Sequence, residues 1–200
     1  MPPSEYEQLV AGGGVTVGNN VRLSAAANLT LTGGTHSMNA LWLDNTSTTA
    51  AITLAGSGTD SLNVQSGAFL FTGATSGSIT VSGFNNGITT GTNSEYIFDV
   101  VNTATNGVTI ASSLTTASST VTKTGAGLLT LTGTANAVST YNLNQGTLQA
   151  SSAAALHSGA GTPTLNFYGG TFRFGAAFDL SVDNLVFGSG GATLDTAPWR

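Results

Sequence analysis

Apolar residues in this chain come in pairs with one polar residue between them, and glycine-rich turns separate the pairs. Leu29/Leu31, Leu41/Leu43, Ile52/Leu54, Leu62/Val64, Phe69/Phe71, Ile79/Val81, Val108/Ile110, Leu129/Leu131, Tyr141/Leu143 and Leu165/Phe167 follow the pattern, and Tyr96/Phe98/Val100 extends it by one step. Alternation over a few residues makes one side of an extended segment apolar, which is the mark of a short half-buried strand. Between the pairs stand Gly33-Gly34, Gly56-Ser57-Gly58, Asn85-Asn86-Gly87, Asn106-Gly107 and Gly169-Gly170, residues that tolerate the backbone of a tight turn. No stretch carries a 3.6-residue apolar period. Ser151–Leu156 has enough alanine for one helical turn and nothing longer. The chain is predicted to be nearly all β.

Composition separates the β architectures. Charged residues make up 6% of the 200 residues, against about 25% in an ordinary soluble domain. About a sixth of the chain is threonine, so the surface must be built from Thr, Ser, Asn and Gly. A disordered chain would lack the 40% apolar content in regular bursts. A sandwich or closed barrel needs longer strands and more rings than 8% aromatic residues supply, and a propeller needs a blade period. Short strands, small turn residues and internal echoes fit a solenoid. Leu29-Thr30-Leu31-Thr32-Gly33 reappears as Leu129-Thr130-Leu131-Thr132-Gly133, and Gly146-Thr147-Leu148-Gln149-Ala150 is echoed by Gly170-Thr171-Phe172-Arg173-Phe174. At about 20 residues per coil and about 4.8 Å between coils, the expectation is roughly nine to ten coils and a rod about 45 Å long.

The net charge is −5, and Arg22, Lys123, Arg173 and Arg200 are scattered. Nucleic-acid binding has no electrostatic footprint here, and no polybasic segment offers a membrane anchor. The absence of cysteine rules out a disulfide scaffold and a Cys-based zinc site. No apolar run nears the ~18 residues of a membrane span, so no direct membrane insertion is expected. The acidic start, Met1–Gln8, has no apolar core and is not a signal peptide. The chain reads as an internal piece of something longer. Its segments are an N-terminal cap or non-repeat stretch over 1–9, degenerate coils over 10–120, clearer coils over 121–196 and a tail over 197–200.

The stretch Lys123-Thr124-Gly125-Ala126-Gly127-Leu128-Leu129-Thr130-Leu131-Thr132-Gly133, with Asn136, Tyr141 and Gly146-Thr147-Leu148, resembles the passenger-associated transport repeat, also called the autotransporter-associated β-strand repeat. In that family a Lys-x-Gly-x-Gly opening leads into an alternating leucine strand, an Asn/Tyr-containing turn and a closing Gly-Thr-Leu strand. Here Tyr141-Asn142-Leu143-Asn144 replaces the expected Tyr-x-Gly-x-Thr. The resemblance covers about residues 121–196, with a weaker echo over 10–120. It implies a right-handed parallel β-helix in a secreted bacterial surface protein. Lys123, Gly125, Gly127, Leu129, Leu131, Gly133, Gly146 and Leu148 are its structural positions, and it transfers no catalytic residue, cofactor or metal.

The candidate chemistry is thin. Glu95 and Asp99 share the face opposite Tyr96, Phe98 and Val100, about 13 Å apart along a strand, whereas glycosidase carboxyls stand about 5–10 Å apart. Asp179 and Asp183 flank Leu180/Val182 in the same way, and all four read as solvated wall residues. Arg173, Lys123 and Asp179 are the best members available for a polysaccharide-cleaving cluster. His36 and His157 read as turn histidines, with Asp44 and Asp60 the nearest acids and no metal-ligand spacing. Trp42 alternates against Leu41/Leu43 and can face outward toward a sugar or partner, although packing filler is the preferred reading; Trp199 is the only other tryptophan. Thr-x-Thr pairs at Thr30/Thr32, Thr122/Thr124 and Thr130/Thr132 would make an ice-binding face only if they stacked, and their sporadic placement reads as β-propensity.

The expected function is therefore non-enzymatic: a structural or adhesive β-helix segment at a bacterial surface. Self-association through solenoid ends or walls and a host-surface or glycan ligand are the expected partners. A self-assembling filament subunit and a polysaccharide-binding or polysaccharide-cleaving β-helix are the alternatives.

Overall fold

The computed structural model describes residues 6–9, 17–24, 28–47, 49–73, 77–102, 107–158, 161–180 and 183–196. Trp199, Arg200, Val182 and the tail over 197–200 lie outside the described residues.

The chain is an all-β solenoid of parallel strands. Two walls run its length. The first stacks Tyr6–Gln8, Asn20–Ser24, 40–45, 68–73, Glu95–Val100, Ser119–Thr124, Val138–Leu143, Thr164–Phe167 and Asn184–Phe187. The second stacks Asn28–Leu31, Ile52–Gly58, Ile79–Phe84, Val108–Ile110, Leu128–Leu131, Thr147–Ala150, Thr171–Phe174 and Thr193–Asp195. A third wall exists only in part of the rod. Residues 35–38 pair with 61–64, which pair with Ile88–Thr90, and the wall ends at an isolated bridge from Ile88 to Leu114. The strands Thr35–Asn45 and Ser61–Gly73 pass through the corner between the third and first walls. At that corner the register shifts between Met38 and Ala40, and the buried alternation slips phase at Gln65-Ser66.

Inward residues pair with inward residues from coil to coil. One column of the first wall reads Val21, Leu41, Phe69, Phe98, Lys123, Leu143, Phe167, Phe187. A column of the second wall reads Leu29, Leu54, Val81, Ile110, Leu131, Ala150, Phe174. Phe69 lies 4.8 Å from Phe98, and Tyr96 is stacked on Phe98 at 6.1 Å. Burial of such apolar columns supplies the main stabilising term at roughly 25 cal/mol per Å² removed from water.

The expected nine to ten coils shrink to about seven turns, because the coils are longer than 20 residues where the third wall is present. Leu41 pairs with Phe69 and Phe69 with Phe98, steps of 28 and 29 residues. Tyr141 lies inside the strand Val138–Leu143, as the Tyr141/Leu143 alternation predicts, and Val138, Tyr141 and Leu143 all face the core. The repeated pentapeptides both fall on the second wall but two residues out of register: Leu29 shares its column with Leu131, not Leu129. The single helical turn expected at 151–156 is a 3-10 turn at Ala153–Ala155, capped by the Ser152 hydroxyl.

Candidate functional site

With the interior filled, the groups available to anything outside are those on the outer walls and at the corners. The second wall presents Thr53, Thr80, Thr109 and Thr130 in one outward column at four successive coils, continued by Gln149 and Arg173. Ala55 pairs with Ser82 in the next outward column, which begins at Thr30. No strand of this wall carries a charged residue before Arg173, whose Nε donates to Asp195 Oδ2 at 2.8 Å. Among the described residues, none of the four column hydroxyls has a hydrogen-bond partner. The sequence hid this column because the coils differ in length: 27, 29 and 21 residues separate successive members. The Thr-x-Thr pairs do not stack as pairs, as expected; a single threonine column does.

The outer face of the first wall is charged, and several of its polar groups bond to one another from coil to coil. Thr122 Oγ1 donates to Glu95 Oε1 at 2.7 Å, Asn142 Nδ2 to Thr122 Oγ1 at 3.3 Å, and Asn166 Nδ2 to Asn142 Oδ1 at 2.8 Å. Thr124 Oγ1 donates to Asp99 Oδ1 at 3.0 Å. Glu95 and Asp99 thus face outward, as expected, and each is tied to a threonine one coil on.

Toward the N-terminal end the same face holds Trp42. Its ring lies 4.3 Å under the Arg22 guanidinium and edge-on to Tyr6 at 5.2 Å, while its Nε1 donates to Thr72 Oγ1 at 2.7 Å. Trp42 therefore faces outward and packs successive coils together from outside. Arg22 pairs with Asp44, which also accepts from Thr46 and from Thr72 Oγ1 at 2.8 Å. Burial pushes the Asp44 carboxyl up, and these donors outweigh it to hold the group below its ordinary range. A shallow cleft of about 220 Å³ beside this cluster is lined by Tyr6, Ala40, Ala68, Leu70, Ile97 and Asp99, among others.

The corners carry the buried charges. Lys123 is 1% exposed and occupies the inward column between Phe98 and Leu143. Its Nζ donates to the carbonyls of Thr124, Gly125 and Gln145 at 2.7, 2.6 and 3.1 Å. Burial pulls the ammonium down to about 8, against the opposing pull of Asp99. The glycines beside it permit close stacking. Gly146 has φ +68, and a Cβ there would stand 2.4 Å from the Gly125 carbonyl and 2.7 Å from that of Gly127. Leu129, Leu131 and Leu148 point into the core, and a Cβ on Gly133 would meet Ser112 at 2.8 Å. The eight motif positions thus hold one coil on the next.

Asp60 ties two turns in the N-terminal half of the rod. It accepts from Ser57 N and Gly34 N, both at 2.7 Å, and from Ser57 Oγ and Gly33 N at 2.9 and 3.2 Å. Those backbone donors hold its carboxyl down to about 2. His36 is a strand residue, correcting the turn assignment: it pairs with Leu62 on the third wall, packs edge-on to Phe84 and lies 3.9 Å from Asp60. His157 follows the 3-10 turn, with Nδ1 2.7 Å from the Val138 carbonyl oxygen.

The three residues weighed as a cleaving cluster engage separate partners: Arg173 takes Asp195, Lys123 takes carbonyls, and Asp179 acts on Asp183, which burial and then Asp179 push up. Among the described residues no group of three or more His, Asp or Glu side chains stands where it would hold a metal ion. Nothing among the family models, the curated proteins or the solved structures matches this chain.

Proposed function

We propose that the chain is a structural, adhesive rod segment of a secreted bacterial surface protein, of the kind that carries autotransporter-associated β-strand repeats. The observation behind this reading is the continuous coil-to-coil pairing of parallel strands along both walls. Such a body extends in one direction and presents repeated outer columns along its length, which suits a molecule that reaches and contacts. The Lys123 and glycine positions give the repeat lettering a mechanical purpose in that reading.

Immunogold labelling of intact cells that express the native gene tests it. Labelling before permeabilisation supports the reading, and labelling only afterwards overturns it. A second reading, end-to-end assembly, draws on the last described strand of each wall, where Phe187, Val186 and Leu194 are 60%, 47% and 44% exposed. Unpaired strand edges pair readily with another strand. Fibres of the purified chain in electron micrographs support that reading, and monodisperse particles remove it.

A further inference from the structure

We propose that the outer face of the first wall docks a lysine side chain of a basic partner protein, in the trough between Tyr6 and Ile97 that ends on Asp99. Strand alternation lapses here. Ala68-Phe69-Leu70-Phe71 and Tyr96-Ile97-Phe98 are unbroken apolar runs. Phe69, Phe71, Tyr96 and Phe98 are buried, so Leu70 and Ile97 take the outward positions, where they are half-buried. Core packing does not call for them. Their outward column reads Tyr6, Asn20, Ala40, Ala68, Ile97 and then turns polar at Thr122, Asn142 and Asn166. The column beside it carries Trp42, Leu70 and Asp99, then Thr124. With only methyl groups at Ala40 and Ala68, the wall dips into a cleft of about 220 Å³. Ala40 and Ile97 are two coil steps apart, about 10 Å. Apolar surface gathered in one exposed place marks a contact site.

The charges select the occupant. Asp99 lines the cleft, and Glu95 stands two residues before Ile97 on the same outward side. One oxygen of each carboxylate accepts from a threonine: Asp99 Oδ1 from Thr124 and Glu95 Oε1 from Thr122. Among the described residues their other oxygens have no donor. Arg22, the outward cation of this region, is paired with Asp44. Lys123 lies inward and donates to three carbonyls. A hydrocarbon seated in the trough would take Asp99 out of water with no counter-charge, which is costly. A sugar needs several polar partners around its ring, and this lining offers one carboxylate. A lysine meets both demands, because its four-carbon stem lies on apolar surface while its ammonium keeps a polar partner. One compact ammonium suits one free oxygen, where a guanidinium fork asks for two.

The partner is a different protein. Lys123 is the only lysine in the sequence and is 1% exposed, so a second copy has none to offer. The net charge of −5 favours encounter with a basic protein. The inference rests on the outer face alone. Labelling of cells only after permeabilisation would overturn the surface-rod reading and leave this one standing.

Calorimetric titration of the chain with a blocked peptide that holds one lysine between two leucines tests it. The same peptide with norleucine, acetyl-lysine or arginine in that place is titrated beside it. The wild type is expected to bind the lysine peptide, and to bind the norleucine and acetyl-lysine peptides about tenfold more weakly or worse. Asp99→Asn can keep the bond to Thr124 but removes the charge, and is expected to weaken lysine-peptide binding about tenfold. Because it also removes a charge that acts on Lys123, Ala68→Leu is the second variant. It fills the trough, leaves every charge in place and is expected to abolish binding. Gln149→Glu adds a carboxylate on the second wall and is expected to leave binding unchanged. Circular dichroism confirms that each variant is folded. Failure of the wild type to bind the lysine peptide overturns the inference. So does undiminished binding by folded Ala68→Leu, equal affinity for the norleucine peptide, or a preference for the arginine peptide.

Discussion

Leu41 to Phe69 and Phe69 to Phe98 are steps of 28 and 29 residues, whereas Lys123 to Leu143 is a step of 20. The long coils contain the third wall, and Phe69, Phe71, Phe84, Tyr96 and Phe98 fill the wider interior. The short coils follow the Ile88–Leu114 bridge and have lost that wall. Val121, Leu129, Leu131, Leu143 and Leu148 fill them, with Tyr141 the single ring between 119 and 156. In place of a third strand they use polar ties. Asn136 accepts from Leu114 N and donates to the carbonyls of Gly133 and Ala155, and Tyr141 donates to the Leu156 carbonyl. Interiors pack at nearly constant density, so the wide section takes a cluster of rings where the coils around Lys123 take leucines; single rings return at Phe167 and Phe172 in the coils that follow.

Removing a ring from the wide coils is the strongest way to break this contrast. Phe98→Ala loses contacts to Phe69 at 4.8 Å, Tyr96 at 6.1 Å and Phe71 at 6.2 Å. The expected loss is about 3–5 kcal/mol in urea unfolding. A loss below about 1 kcal/mol would mean that the wide section collapses without its rings. The turn glycines give the next largest effect, and in the opposite half. Gly146→Ala adds a Cβ 2.4 Å from a carbonyl oxygen at φ +68, whereas Gly58, at φ +89, has nothing within 4 Å of that position. Gly146→Ala is expected to cost about 2–3 kcal/mol and Gly58→Ala about 1. Equal costs would show that the turn at Gly146 yields to the added Cβ without strain beyond that of its positive φ.

The third test uses the buried charge that the narrow coils carry in place of a core apolar residue. The ammonium of Lys123 titrates near 8 when folded and at 10.5 in the reference state. Between those values the unfolded chain binds the extra proton, so stability rises with pH. From pH 8 to pH 10 the unfolding free energy should increase by about 2 kcal/mol. Lys123→Met should abolish that slope while leaving three carbonyls without their donor. A wild-type profile flat over this range would place the Lys123 ammonium in water.

The strands and their inward faces were legible because alternation is a local property: Tyr96, Phe98 and Val100 face the core as the pattern requires. The motif glycines were legible as geometry for the same reason. The vertical arrangement was not. Which residue lies above which depends on the length of every intervening turn, and the third wall adds residues to some coils only. That is why the threonine column escaped a reading of Thr-x-Thr pairs, and why identical pentapeptides landed two residues apart in register. Lys123 was legible as a repeat position but not as an inward residue. The carbonyls of Thr124, Gly125 and, from the next coil, Gln145 make an inward lysine tolerable. His36 was misread because a polar residue at an inward strand position breaks the alternation that identifies strands.

The smallest expected effect compares one outward column in the two halves. Thr53 sits in a wide coil and is partly exposed, while Thr130 sits in a narrow one and is 9% exposed. Valine keeps the shape and β-preference of threonine and deletes the hydroxyl. At Thr53 water solvates that hydroxyl freely, so Thr53→Val should leave stability within about 0.5 kcal/mol. At Thr130 the side chain as a whole is mostly enclosed, so exchanging its hydroxyl for a methyl should stabilise the fold by about 0.5–1 kcal/mol. Destabilisation by Thr130→Val would mean that the hydroxyl is bonded in the folded state, as several hydroxyls of the first wall are.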